Sequence, residues 1–313
     1  MKYPTILRQN LGASLLRHVL ISGASHSRLR GNPVPAFTGS VPSFSRFKPA
    51  LRVGLISDVH FADKASNGLN YYRHSRGKFR EAIDFFNRQG TDFVVELGDF
   101  IDGKDGKDRE MDHLRTINDE FKKANCDIVH VLGNHCLKSL TKDEFLDETK
   151  GLEPPYSFDR SGFHFVVLDG NFDKEGQSYA EGNFRFFDSA IPPSQTDWLE
   201  MDLAASALPT FAFVHQRLDV TKMNPFGVRN SPEIRRVLED SGKVVGVFQG
   251  HSHLNSCRRI NGVNYATMRA MVKGGGARNS GYAVAEIYPD SAVMVQGFRK
   301  QRSYHLTPAR SHF

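Results

Sequence analysis

Cysteine is scarce in this 313-residue chain. Cys126, Cys136 and Cys257 are the only three, and no spacing among them suits a zinc knuckle or a redox pair, so a disulfide framework is not expected to hold the fold. Free thiols fit a reducing compartment weakly and do not exclude export. No apolar stretch approaches the roughly 18 residues that cross a bilayer. Acid is missing from residues 1–57, which hold eight basic residues: Lys2, Arg8, Arg17, Arg28, Arg30, Arg46, Lys48 and Arg52. The whole chain has 41 Lys and Arg against 35 Asp and Glu, so removing those eight leaves 33 against 35. The net charge of +6 is therefore a property of the start, and the body is near neutral. A broad nucleic-acid-binding face is not expected.

What is present is a soluble globular composition, 39% hydrophobic and 24% charged. The length permits one large domain or two smaller ones. Residues 1–50 stand apart as a basic leader or disordered linker. Ile6, Leu7, Leu11, Leu15, Leu16, Val19 and Leu20 fall on one helical side beside Arg8, Arg17 and His18, as in an organellar transit peptide, and LGASLL reads as a short export core. Residues 31–50 carry four prolines and read as an extended connection. Residues 51–313 are expected to form the functional domain, in a compartment that the sequence leaves open.

In that body, apolar runs of strand type (LRVGLIS, FVVELG, IVHVLG, TFAFV, VVGVFQG) alternate with helical stretches near 71–89, 108–124, 141–149, 194–206 and 231–240. The alternation predicts an α/β fold with a mainly parallel half-sheet. Thr141 with Glu144 forms a capping-box pattern, and Ser231-Pro232 reads as an N-cap with proline in the first turn. Residues 156–170 read as a hairpin turning at Arg160-Ser161-Gly162. Residues 171–193 are rich in Phe and Gly without periodicity. The period-two strands after 255 suit an antiparallel half-sheet.

Seven metal-binding side chains follow the apolar runs in order: Asp58 and His60 in S-D-V-H, Asp99 in L-G-D-F, Asn134 in L-G-N-H, His215 in F-V-H-Q, and His251 with His253 in Q-G-H-S-H. Strand ends converge on one edge of an α/β sheet, where ligands bind. A donor set of carboxylate, imidazole and amide without thiolate suits Mn, Fe or Zn rather than calcium. Asp99 sits centrally and is the expected bridge between two ions. Asp58, His60 and His253 complete one shell; Asn134, His215 and His251 complete the other. The one-residue gap in D-x-H and H-x-H lets two side chains turn toward the same pocket. Such a pair neutralises phosphate oxygens and makes hydroxide available from a bridging water near neutral pH. His135 is placed to protonate the leaving group, with Asp102 as its orienting partner.

The series D-x-H, G-D-x-x-D, G-N-H, H and G-H-x-H resembles the calcineurin-like metallophosphoesterases over about residues 51–300. That resemblance implies a four-layer α/β/β/α sandwich of two mixed sheets, a dinuclear centre and hydrolysis of phosphate mono- or diesters. Two departures stand out: Cys136 replaces the acidic residue common after G-N-H, and His215 lies in H-Q-R-L rather than H-x-P. The stretch Asn70-Tyr71-Tyr72-Arg73-His74-Ser75 resembles the manganese-dependent ADP-ribose and CDP-alcohol diphosphatases and hints at a small nucleotide-type substrate. Arg73 and His74 are candidate substrate contacts at a helix start, which favours anions. Lys273 through Arg278 reads as a mobile loop over the metals or a flexible hairpin connection. Phe172, Tyr179, Phe184, Phe186 and Phe187 read as a pocket wall or a local mini-core. A phosphodiester, pyrophosphate or phosphomonoester substrate suits the chemistry. The competing readings are a non-catalytic scaffold on the same fold and a nuclease, which would need a basic path that the neutral body lacks.

Overall fold

The computed structural model describes residues 48–220 and 224–308, so most of the basic first segment lies outside the described residues. The fold begins where that segment ends, with the Ala50 N–H donating to the Ile287 carbonyl at 2.8 Å. In chain order the elements are β1 (Leu51–Ile56), α1 (Ser75–Gln89), β2 (Phe93–Glu96), α2 (Lys107–Phe121), β3 (Asp127–His130), α3 (Lys142–Thr149), β4 (Tyr156–Arg160), β5 (Phe163–Val167) and α4 (Pro193–Ala205). They continue with β6 (Thr210–Phe213), α5 (Ser231–Asp240), β7 (Val244–Gln249), β8 (Ser256–Ile260), β9 (Val263–Thr267), β10 (Gly281–Ile287), β11 (Val293–Arg299) and β12 (Tyr304–Leu306).

Two mixed six-stranded sheets result, ordered β12-β11-β10-β1-β2-β3 and β4-β5-β6-β7-β9-β8. Strands β1, β2 and β3 are parallel, as are β5, β6 and β7. Side chains of one parity point between the sheets: Leu51, Val53 and Leu55 from β1 and Phe93 and Val95 from β2 meet Phe165, Phe211 and Phe213 of the other sheet. Phe93 stands edge-on to Phe165 with ring centroids 5.2 Å apart. The opposite parity packs under the helices. Val94 joins Phe79, Phe86, Leu114 and Phe121 of α1 and α2, while Val166, Ala212 and Val247 join Leu199, Leu203, Ile234 and Leu238 of α4 and α5. Burying each large apolar side chain contributes roughly 1.5–3 kcal/mol. The layers are thus helix, sheet, sheet, helix, as the resemblance implied.

The local readings largely hold. Thr141 accepts the Glu144 N–H and Glu144 reaches back to the Thr141 N–H, the predicted capping box. The β4–β5 turn uses Ser161 and Gly162, both at positive φ. Three expectations need correction. The C-terminal strands do not form one antiparallel half-sheet: β10 pairs antiparallel with β1, and β11 and β12 follow it antiparallel in turn, whereas β9 lies parallel to β7 in the other sheet. Helix α1 starts at Ser75 rather than 71: the His74 and Ser75 N–H groups bond the carbonyls of Tyr71 and Tyr72 in tight turns, and four-residue helical spacing begins only with Lys78 to His74. Helix α5 is flanked by Asn230, not capped by Ser231, whose hydroxyl donates to the Val220 carbonyl. Among the described residues no helix is long and apolar enough to cross a membrane.

Candidate metal centre

The carboxyl ends of β1, β2, β3, β6 and β7 open on one edge. Asp58, Asp99, Asn134, His215 and His251 stand two to four residues beyond those strands. The loops lock to one another through the main chain. The Asp58 N–H donates to the Gly98 carbonyl (3.0 Å), the His60 N–H to the Asp99 carbonyl (2.8 Å), and the Gly250 N–H to the His215 carbonyl (2.9 Å). Asp58, His60, Asp99, His251 and His253 all sit at positive φ, between 44° and 66°. That region is uncommon for non-glycine residues and marks a backbone held by its surroundings. The glycines of the motifs are explained by proximity. A Cβ on Gly98 would lie 2.5 Å from His215 Nδ1, and one on Gly133 would lie 2.0 Å from the Asp99 nitrogen.

Six of the predicted ligands come together in two overlapping groups, and Asn134 is buried directly before His135, whose N–H bonds Asp99; all seven are buried except His253, which is partly exposed. Around Asp58, His253 Nε2 lies 3.2 Å from Oδ1 and His60 Nε2 lies 3.8 Å from it. The two imidazole Nε2 atoms face each other at 3.1 Å. Asp99 Oδ2 is 3.4 Å from His60 Nε2 and 3.2 Å from His215 Nε2. His251 Nδ1 is 3.1 Å from His215 Nε2. Asp58, His60, Asp99 and His253 therefore form one group able to hold a cation, and Asp99, His215 and His251 a second, with Asp99 common to both.

The hydrogen bonds behind the rings suit ligation. His215 Nδ1 donates to the Leu97 carbonyl at 2.7 Å, and His60 Nδ1 lies 3.4 Å from Asp102 Oδ1. For His215 the far nitrogen holds the proton, which leaves its Nε2 lone pair aimed inward. Asp58 Oδ1 and Asn134 Oδ1 are buried without a hydrogen-bond partner among the described residues. Unpartnered buried acceptors are costly and call for a bound donor or ion. The electrostatics agree. Burial opposes charge on His60, yet Asp99, Asp102 and Asp58 outweigh it and push its pKa up to about 10. Burial likewise works against ionised Asp99, but His215, His135 and His60 hold it well below the usual carboxylate range. The cluster is a concentration of negative charge that demands cations.

His135 follows Asn134, and its main-chain N–H donates to Asp99 Oδ1 at 2.8 Å. Its Nδ1 donates to the main-chain carbonyl of Asp102 at 2.7 Å; the Asp102 carboxylate is farther, at 3.5 Å. Asp102 was expected to orient His135 through its carboxylate, and the closer contact is instead its backbone. The carboxylate is shared with His60 and with Lys64, whose Nζ is 2.7 Å from Oδ2. Burial pushes the Asp102 pKa up, but His135, His60 and Lys64 together hold it below the ordinary range. In the Cys136 departure, the buried sulfur accepts the Phe100 N–H at 3.3 Å, so that donor is not orphaned.

Arg73 and His74, the candidate substrate contacts, make their contacts outside the two groups of candidate ligands. Arg73 pairs with Asp63, both exposed, and His74 Nδ1 accepts the Gly276 N–H at 3.1 Å. The loop starting at Lys273 is fastened rather than free. Lys78, buried in α1, donates to the carbonyls of Met271, Lys273 and Gly274, and burial pushes its pKa down to about 8. Sequence reading missed Lys78; a lysine on the apolar stripe with Phe79, Ala82 and Ile83 is the signal that could have found it. Asp105, Glu110 and His113 also cluster. There His113 Nε2 accepts the Asp63 N–H at 3.1 Å, which places the ring proton on Nδ1, 3.5 Å from Glu110 Oε2. Glu110 Oε1 accepts the N–H groups of Lys104 and Asp105. The protonated Nδ1 makes this group a clamp on two loops rather than an ion site.

Of the aromatic segment, Tyr179 and Phe184 stack at 3.8 Å in a mini-core, and Phe172 lies under the Lys142 ammonium. Phe186 and Phe187 remain exposed. They border a cleft of about 360 Å³ lined by Asn134, His135, Lys104, Lys138, Arg185 and their neighbours. A larger cleft, about 670 Å³, contains none of the candidate ligands.

Comparison with known proteins agrees with this geometry. The family model for calcineurin-like phosphoesterases matches residues 51–255. A manganese-dependent ADP-ribose/CDP-alcohol diphosphatase of Oryza sativa subsp. japonica is 25% identical over 309 residues, covering 83% of this chain and 95% of that protein. The protein of the same name in Xenopus laevis is 24% identical over 326 residues, covering 82% and 91%. The crystal structure of a dimetal phosphatase from Danio rerio superposes with a TM-score of 0.73 at 22% identity, over 83% of this chain and all of that one, a likeness of fold.

Proposed function

This chain belongs to the calcineurin-like phosphoesterase family and is a phosphoric ester hydrolase, and from that premise we propose that it cleaves the phosphoanhydride of a small nucleotide-type diphosphate with two divalent ions, manganese first among them. The observation that carries the dinuclear reading is the position of Asp99: its Oδ2 faces His60 at 3.4 Å and His215 at 3.2 Å. One carboxylate oxygen thus serves two imidazole sets, which suits a bridge. Asp58, His60, Asp99 and His253 would hold one ion; Asp99, Asn134, His215 and His251 the other. When bound, the ions supply charge neutralisation on phosphate oxygens and a water acidified toward neutrality.

The chain's own residues do the rest. His135 holds its Nδ1 proton against the Asp102 carbonyl, so Nε2 is the atom that exchanges a proton with the departing oxygen. The partly exposed His135 ring lines the cleft, where a leaving group has room. The curated relatives carry the words ADP-ribose and CDP-alcohol in their names, which supports the diphosphate class. Elemental analysis of the purified full chain, followed by turnover of ADP-ribose, CDP-choline, cyclic AMP, p-nitrophenyl phosphate and bis-p-nitrophenyl phosphate with added Mn²⁺, tests the proposal. Two metals per chain with ADP-ribose or CDP-choline preferred is the expected result. A preference for monoesters or cyclic AMP would overturn the substrate class, and a single metal would overturn the bridge.

A further inference from the structure

We infer that the cleft beside His135 is a subsite for a phosphorylated leaving group: Lys104, Lys138 and Arg185 bind the phosphate that departs, and Phe186 with Phe187 carries the apolar or aromatic part attached to it. The inference rests on the hydrolase reading above and adds which part of the substrate goes where. Its first support is an imbalance of charge. Neighbouring cations are neutralised: Lys64 pairs with Asp102 and Asp105, and Lys107 with Glu144 and Glu181. Among the described residues no carboxylate pairs with Lys104, Lys138 or Arg185, yet all three line one cleft of about 360 Å³. Unpaired cations gathered in a concavity raise the local concentration of anions.

The second support is position. Asn134 and His135 line the same cleft, so its anion site is continuous with the reaction centre on the side of the proton donor. The third is the aromatic pair. Phe186 and Phe187 are 48% and 47% exposed with ring centroids 5.4 Å apart, unlike Tyr179 and Phe184, which are spent on each other. Exposed rings at a cleft rim suit stacking on a base or covering an alkyl chain.

The step balances as a hydrolysis. The oxygen of water bonds to one phosphorus, and the bond from that phosphorus to the bridging oxygen breaks. The bridging oxygen keeps the electron pair and leaves on the second phosphate. Two phosphomonoesters result, sharing the two protons of water with each other or with solvent. Negative charge grows on the leaving phosphate as the bond breaks, so cations on that side favour the transition state over the bound substrate.

The test uses two substrates that differ in the leaving group: ADP-ribose, which releases a phosphomonoester, and the p-nitrophenyl ester of thymidine 5′-phosphate, which releases p-nitrophenolate, an anion that carries no phosphate. Lys138→Ala and Arg185→Ala should each lower kcat/KM for ADP-ribose about 10–100-fold, the range for a charge-assisted contact. Turnover of the p-nitrophenyl ester and metal content should stay within about twofold. AMP should inhibit ester turnover by the wild type more strongly than by either variant, and Phe186→Ala should raise the AMP inhibition constant likewise. Equal loss on both substrates, or no loss on either, overturns the subsite. If the wild type turns over the ester but neither ADP-ribose nor CDP-choline, the proposed substrate class falls. The subsite is then decided by AMP alone: weaker inhibition in the variants supports it, and unchanged inhibition overturns it.

Discussion

Replacing Asp102 by asparagine separates two roles that one residue holds. Its main-chain carbonyl accepts from His135 Nδ1 at 2.7 Å and survives the substitution. Its carboxylate lies 3.4 Å from His60 Nδ1 and 2.7 Å from Lys64 Nζ, and those contacts are lost or weakened. An outer partner that fixes a ligating imidazole is typically worth about 10–100-fold in metal affinity or activity. Asp102→Asn should therefore raise the Mn²⁺ concentration needed for half-maximal activity about 10–100-fold. It should leave the relative rates on an alkyl phosphodiester and a p-nitrophenyl ester nearly unchanged once Mn²⁺ saturates. Calorimetric titration with Mn²⁺ gives the affinity without relying on turnover, and a circular dichroism melt checks the fold. His135→Ala is the contrast: it should keep metal affinity and lose about 10²–10⁴ in rate, most of it on the alkyl substrate, as expected when a general acid is removed. Unchanged Mn²⁺ affinity in Asp102→Asn, together with a shift in leaving-group selectivity at saturation, would refute the reasoning and return the orienting role to the carboxylate.

Three further outcomes test the fold around the site. Lys78→Ala strands the buried Met271 carbonyl and frees the half-buried carbonyls of Lys273 and Gly274 to water, so it should lower stability by about 1–3 kcal/mol in urea unfolding; a change under about 1 kcal/mol would mean water replaces the ammonium. His164 bonds Asp159 at 2.6 Å and Asp202 at 2.8 Å, and although burial works against its charge these carboxylates raise its pKa above the ordinary value. Its contribution is then present below the unfolded pKa and lost as pH rises through the folded one, so the melting-temperature gap between wild type and His164→Gln should be wider at pH 6 than at pH 9; a constant gap would show that charge is not involved. Lys150 ends α3 in the left-handed region with φ 56°, so Lys150→Gly should stabilise by about 0.5–1 kcal/mol, read as a rise in melting temperature with turnover unchanged, whereas a fall would place the strain elsewhere.

The parallel strands and their order along the chain were legible because each ends in a short motif whose ligand marks the carboxyl edge. Asp58 after LRVGLIS and His251 after VVGVFQG identify both element and role. What period-two alternation could not tell was which sheet a strand joins. Residues Gly281–Ile287 and Val263–Thr267 read alike, yet one pairs antiparallel with β1 and the other parallel with β7. Sheet membership depends on long-range register that no local window contains. The same limit applies to Asp102. Sequence spacing put it near His135, but only the folded loop shows that its carbonyl is the nearer acceptor. For Arg73 and His74 the reading as substrate contacts stays a proposal; the helix they were expected to open begins at Ser75.

The left-handed backbone at Asp58, His60, Asp99, His251 and His253 connects the fold to the chemistry. Each such position costs on the order of 1–3 kcal/mol for a non-glycine residue, and five of them approach the net stability of an ordinary domain, roughly 5–15 kcal/mol. Local preference does not hold them there. Three of them are held by amides committed across the strand edge: Asp58 to Gly98, His60 to Asp99, and His251 to the Asp58 carboxylate. The twist is also what the site requires. In an extended strand, residues two apart point to one face along parallel lines; the left-handed turn at both members of D-x-H and H-x-H bends those lines until His60 and His253 meet nitrogen to nitrogen at 3.1 Å. Convergence that close needs either a proton held between the two nitrogens or a shared cation. The large inter-sheet core thus sustains a strained edge, and the strain brings the ligands to one point.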